Sequence, residues 1–459
     1  MAKTSNPTDE LIQADASLLV QLLNDADLVF VKKLSNNDRD WARYANKHQA
    51  GAYIPHQERD SGFFPALAKK VRIDDEAAEI REAEIKTWWP QTGDEDKKSR
   101  LVHYTSKGEE THLTGLPKGA FATLSPGSYL VIGRTGSDQR PKFQCLTIDS
   151  TSDDAPLLED TLDLPVDFQA VIRVAAKVRA QRRGQLLDFA ELALASWQKG
   201  EIRKFSAENA VMPDTATLAA LARNEYLKKH GLNDLNPYAI EHPGDAVRQI
   251  SREMELQLFR KYQFRGNAIA LVVMLAGEDP RTVSVASIIR QLIDKTQDID
   301  ALMLSATQQR RSRAGYSFEH HIEAMLISGN VPFQKQVVIE SKKRPDFVLP
   351  SLSYLRRPKA GRENGLILSA KTTLRERWKQ VQREKGTDDL FLATVDETIA
   401  SNSIQDMAEM GVTLVVPENL KSLTSTAAKA AEYRGHRNVL TFREFFDDVL
   451  RDNRMASWV

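Results

Sequence analysis

The sequence predicts two domains of different class. The C-terminal part reads as α/β, a mixed sheet covered by helices on both faces. The N-terminal part reads as mainly β, a small barrel or sandwich. Three observations carry this. From residue 333 onward, apolar strands at 333–340, 366–370, 390–394 and 412–416 alternate with helical runs near 399–410 and 441–451. Between 28 and 148, short apolar strands recur with turn chemistry between them. An acidic, turn-rich stretch at 149–163 separates the two patterns. At 459 residues the chain has room for several domains with ample core.

Composition bounds the function. The chain carries 63 basic and 63 acidic residues, a net charge of +0. That excludes a global polyanion-binding surface, so any DNA site must be a local basic patch. The lone Cys145 excludes an internal disulfide, suits a reducing cytoplasm and reads as a buried structural thiol. Met1 to Asp9 is polar, so no secretory leader is expected. No window approaches 18 uncharged apolar residues, so no membrane partner is expected.

In chain order, residues 8–26 read as a helix with Leu11, Leu18, Leu19, Leu22 and Leu23 on one side. Leu28-Val29-Phe30-Val31 reads as a strand, and Asn36-Asn37-Asp38 as turn chemistry. Further strands are expected at 82–89, 99–104, 127–132 and 142–148. The domain reading is therefore 1–150 for the β domain, 151–205 for a linker and helical hinge, and 206–459 for the α/β domain. Within the hinge, 165–199 reads as one or two amphipathic helices. Met212-Pro213-Asp214-Thr215 caps a helix running to Lys229, and others are expected near 244–262 and 283–294.

Chemistry concentrates in residues 344–384. Asp346 sits where a short apolar strand begins, and Lys371 ends a second one. Glu384 follows after twelve intervening residues, on the next helix. Two carboxylates and an ammonium at a sheet edge suit a divalent metal that activates water against a phosphodiester. Mg²⁺ takes oxygen ligands, usually one or two carboxylates with phosphate and water. The lysine can steady developing negative charge. Taken alone, the pattern fits an ordinary strand pair with a surface lysine equally well.

Two basic runs flank this stretch. Arg311 and Arg313, near Gly315, read as the start of a helix suited to phosphate contact, with Glu319 one turn in. Glu319 also fits a helix N-terminal charge favoured by the dipole. His320 and His321 lack partners at zinc spacing. Arg375-Glu376-Arg377 follows Lys371 closely. Arg can bond guanine O6 and N7, and Glu can accept from cytosine N4, so the triplet can read C·G pairs. A charge run on a solvated helix is the plainer alternative.

Residues 344–384 resemble the PD-(D/E)xK nucleases, in the branch that moves the second acid onto the following helix. Pro345-Asp346, Ser369-Ala370-Lys371 and Glu384 carry the likeness, with Ser369 where the usual acid stands. The Arg311-to-Glu319 run and, upstream, the His48-to-Tyr53 segment extend it: the chain resembles the EcoRII restriction endonucleases over roughly 28–150 and 206–420. The resemblance implies an N-terminal effector domain, a pseudobarrel that binds a second DNA copy. There His48 and Tyr53 match one DNA-binding arm and Lys97, Lys98 and Arg100 fall in the other, though Asp94, Glu95 and Asp96 replace basic residues. It implies a Mg²⁺-dependent type II restriction endonuclease acting on duplex DNA and leaving 5′-phosphates. Asp346 and Glu384 would hold metal, with Lys371, Glu319 and Tyr354 in the catalytic group. It further implies a homodimer through the catalytic domain, autoinhibition by the effector domain, and a cognate DNA methyltransferase as genetic partner. A non-cleaving DNA-binding regulator on a nuclease scaffold, and a repair nuclease of the same fold, are the other readings.

Overall fold

The computed structural model describes residues 18–44, 51–69, 79–105, 110–137, 140–150, 152, 154–165, 168–277, 283–338, 344–358, 364–374, 389–397, 399–422 and 433–458. The chain divides into two compact units, with the main boundary between Gln181 and Arg182.

The first unit is a nine-stranded, barrel-like sheet. Its strands are β1 (Leu28–Lys33), β2 (Ala52–Ile54), β3 (Ala68–Lys69), β4 (Ile80–Trp89), β5 (Asp94–Tyr104), β6 (Thr111–Thr114), β7 (Tyr129–Thr135), β8 (Lys142–Ile148) and β9 (Ala170–Val174). The path runs β2-β6-β5-β4-β8-β7-β1-β9, with β3 on β4. Pairing is antiparallel except for a short parallel contact between β4 and β8. Alternation places Phe30, Leu130, Ile132, Phe143 and Cys145 in one core. Val29, Val31, Val131 and Leu146 face the other way, against Leu19, Leu22 and Leu23 of the helix Leu18–Asp25. Gly51 adopts φ +138, and a Cβ there would lie 2.2 Å from the Leu113 carbonyl oxygen, so only glycine permits the approach of β2 to β6.

Several expectations are corrected here. Asn36 to Asp38 do not form a turn. Ser35 and Asp38 make a capping box that opens the helix Asn36–Arg43. Residues 149–163 are not a linker, because the helix Asp154–Thr161 buries Ala155 and Leu158 in the β core. Residues 170–174 are not helical but pair with β1 as an outer strand. The β-branched run Val171-Ile172 suits that strand. The helix that follows spans Ala175–Gln198.

The second unit holds a six-stranded mixed sheet, β10 (Gln334–Lys335), β11 (Phe347–Leu349), β12 (Leu366–Ala370), β13 (Asp389–Ala393), β14 (Val412–Val416) and β15 (Val439–Thr441). β10, β11 and β12 pair antiparallel, and β12 to β15 pair parallel. Both faces are covered. Leu366, Leu368 and Phe391 pack with Phe318, Ile322 and Phe445, while Ile367, Leu390 and Leu414 pack with Ile404 and Met407. Of the expected strand 333–340 only Gln334 and Lys335 are in strand among the described residues.

Candidate active site

The mixed sheet sets the site. Phe347 to Leu349 are buried and pair with Leu366 to Leu368, which brings Asp346 level with the end of β12. Oδ2 of Asp346 accepts the Ala370 N–H at 2.8 Å and the Lys371 ammonium at 2.7 Å. Parallel pairing fixes the lysine backbone, whose N–H donates to the Ala393 carbonyl at 2.9 Å. Glu319 comes from the helix Thr296–Ser328 and lies 3.9 Å from the same ammonium. Asp346, Lys371 and Glu319, far apart in sequence, thus meet at one sheet edge.

Their electrostatics are coupled. Burial and the nearby Asp346 charge push Glu319 up to about 7, against the pull of Lys371, Lys335 and a hydrogen bond from Gln336. Gln336 had no signal in the sequence. It adopts φ 50, donates its N–H to the Asp346 carbonyl at 3.1 Å, and so bears on both acids. Behind Glu319, the fully buried His321 bonds Glu255 Oε2 through Nε2 at 2.8 Å. Burial lowers the His321 pKa, with Glu255 opposing.

Other expected site residues fall differently. The helix carrying Glu319 starts at Thr296, so Arg311 and Arg313 lie in its interior and not at its N-terminus. The free N–H groups invoked for phosphate contact are not there. Glu319 accordingly sits roughly six turns in, beyond reach of the helix dipole's first turn. The side chains of Arg311 and Arg313 lie outside the described set, as do the whole of His48, Arg375, Glu376, Arg377 and Glu384. Tyr354 is not in a loop but in the short helix Leu352–Leu355, buried, with the Arg357 guanidinium 4.7 Å from its ring centroid.

In the first unit the basic cluster lies on β5, where alternation divides it. Lys98 and Arg100 share one face, whereas Lys97 turns to the Ser99 and Leu101 side and pairs with Asp94 at 3.2 Å. Tyr53 pairs with His112, which pairs with Val102, so Tyr53 lies on the Lys98 and Arg100 face. Arg100 also pairs with Glu82 at 3.4 Å.

A second group of potential ligands, His242, Asp245 and Glu418, lies elsewhere, with one ligand atom of each within 4.8 Å of the others. Its carboxylates are already used. Glu418 accepts from the backbone N–H groups of Gly244, Asp245 and Arg443, and Asp245 accepts from Asn419. This is a set of caps that ties three chain segments together.

Residues 281–445 match the family model described as EcoRII C terminal. This stretch is similar to the EcoRII C-terminal family. It contains Glu319, Asp346 and Lys371, the three groups that meet. The chain is 34% identical over 148 residues to the type II restriction enzyme EcoRII of Escherichia coli, covering 32% of this chain and 37% of that one. It is 31% identical over 164 residues to the type II restriction enzyme SsoII of Shigella sonnei, covering 33% and 50%. The matches thus span half or less of the curated relatives. Among solved structures it is similar to metal-depleted Ecl18kI in complex with uncleaved DNA, at 24% identity and a TM-score of 0.42, covering 60% of this chain and 84% of that one. No helix among the described residues is long and apolar enough to cross a membrane.

Proposed function

We propose that the protein is a type II restriction endonuclease that hydrolyses phosphodiesters in duplex DNA at a specific short site. The observation that carries this is the convergence of Asp346, Lys371 and Glu319 at the end of β12, within the EcoRII C-terminal family stretch. Asp346 suits a hard divalent cation: it is a partly buried carboxylate whose charge helps raise the pKa of neighbouring Glu319, so a cation there relieves the repulsion. Mg²⁺ is the proposed ion, held by Asp346 and Glu384. Bound there, it would supply a water of lowered pKa and a counter-charge for the phosphate. Lys371 places its ammonium where charge develops on phosphorus. Glu319 balances that ammonium, and Gln336 steadies both acids.

Arg375, Glu376 and Arg377 read C·G pairs in this proposal, and Arg311 and Arg313 add phosphate contact. Tyr53, Lys98 and Arg100 share a face suited to a second DNA copy, with His48 five residues before Tyr53 in the sequence. The protein would act as a homodimer, restrained by its first unit until that copy binds, in a cytoplasm where a cognate methyltransferase protects host sites. A non-cleaving regulator is disfavoured by the assembled Asp346–Lys371 pair. Unmethylated plasmid DNA, digested with and without Mg²⁺ and end-sequenced, tests the proposal. Ends at one defined sequence, bearing 5′-phosphates and requiring the metal, are expected. Random ends, or none, reject it.

A further inference from the structure

We propose that Asp396 is a positioning residue that fixes how the chain leaves Lys371, and thereby how the adjoining Arg375–Arg377 triplet meets base edges. This rests on the nuclease reading above.

The turn from Lys371 to Leu374 is tied at both ends to one stretch beyond β13. Lys371 donates its N–H to the Ala393 carbonyl at 2.9 Å. Leu374 donates its N–H to Oδ2 of Asp396 at 2.7 Å. Leu374 and Asp396 are both buried. Burying a carboxylate is costly unless it is hydrogen-bonded, and an aliphatic residue would fill the same space more cheaply. The Asp396 backbone is held in turn. Asp396 donates its N–H to Thr394 Oγ1 at 3.0 Å, and its carbonyl accepts the Tyr433 hydroxyl at 2.6 Å. That hydroxyl also accepts the Ile399 N–H at 3.3 Å. The next residue, Glu397, pairs with Arg248 at 2.5 Å and Arg252 at 3.6 Å. Residues 393–397 thus form a braced platform. One end of it sets the lysine and the other sets the residue just before Arg375.

A structural role alone would lower the folded fraction and slow cleavage of all sites equally. A positioning role changes the ratio of rates between the preferred site and sites altered at one base. That ratio does not depend on how much of the sample is folded. The test uses full-length Asp396→Ala, Asp396→Asn and Tyr433→Phe with Mg²⁺. Asp396→Ala should lower the ratio about tenfold or more, the scale of one lost bidentate base contact. Asp396→Asn keeps an acceptor oxygen and should stay within about threefold of wild type. Should Asp396→Ala fail to fold, Tyr433→Phe, which removes the brace but keeps the ring, should still lower the ratio by about threefold. An unchanged ratio in the folded variants overturns the proposal. If the wild type cuts no DNA, or cuts without preference, the nuclease reading itself fails and takes this one with it.

Discussion

The ammonium of Lys371 donates to Oδ2 of Asp346 at 2.7 Å, across the end of two antiparallel strands. The same oxygen accepts the Ala370 N–H, so backbone pairing and side-chain chemistry are locked together. Removing either partner should therefore damage catalysis more than folding. Asp346→Ala and Lys371→Ala should each lower the cleavage rate by about 100-fold or more. DNA binding should remain measurable, because phosphate contacts elsewhere carry most affinity. Cleavage near the wild-type rate by either variant would remove the pair from the mechanism.

Glu384 and Ser369 offer a ranking. Ser369 is fully buried inside β12. Glu384 is proposed as the displaced metal ligand. Per folded molecule, Glu384→Ala should lose about 100-fold in rate and Ser369→Ala far less. Single-turnover cleavage with saturating Mg²⁺ measures both, and the reverse order would reassign the second acid.

Glu319 gives a pH dependence with a definite sign. Its pKa rises from 4.5 to about 7 on folding, chiefly through burial. Between those values the folded protein binds more protons than the unfolded chain, so stability falls as pH rises through the window. Glu319→Gln should flatten that fall, making the metal-free protein more stable than wild type above pH 7 by on the order of 1–3 kcal/mol. Denaturant melts in EDTA at pH 5 and pH 8 check this. An equal change for both proteins across the window would mean that Glu319 is not buried with Asp346 as described.

Much of this site was legible in the sequence because strand ends are local features. The apolar runs 347–349 and 366–370 locate Asp346 and Lys371 directly. The contacts that lock them were not legible. Asp396 and the His321–Glu255 bond join segments well separated along the chain, Gln336 acts through a positive-φ backbone position, and no spacing rule marks such contacts. The long helix Thr296–Ser328 was misread at its start because Gly315 looks like punctuation, yet the helix runs through it. Residues 149–163 were misread as a linker because acidic and turn-forming residues outnumber the buried Ala155, Leu158 and Leu162. On the β5 hairpin the charge cluster was visible, but which charges share a face depends on register.

Arg375 and Arg377 are expected to read bases. Replacing either by Ala should cost about 1–3 kcal/mol on the preferred site and relax sequence choice at one position. Binding measured against a panel of sites over a salt series separates the cases. A uniform loss on all sequences with a shallower salt slope would make them phosphate contacts instead.

Restraint by the first unit is testable once the boundary is placed correctly. Phe189, Trp197 and Ile202 pack with Ala210 and Ile269 in the second unit. The Trp197 indole N–H also donates to the Gly277 carbonyl at 2.7 Å. A fragment starting at 206 discards those three side chains, each worth about 1.5–3 kcal/mol of burial. A fragment starting at 182 keeps them. The 182–459 fragment should therefore melt higher than 206–459. If the first unit occludes the cleft, 182–459 should also cut single-site plasmid faster than the full chain, which should prefer multi-site DNA or an added oligonucleotide. A second DNA copy can shift that balance only by its preference for the open form, so the oligonucleotide should accelerate the full chain and leave the fragment unchanged. A folded 182–459 fragment that is no faster than the full chain on single-site plasmid would show that the first unit does not restrain the second.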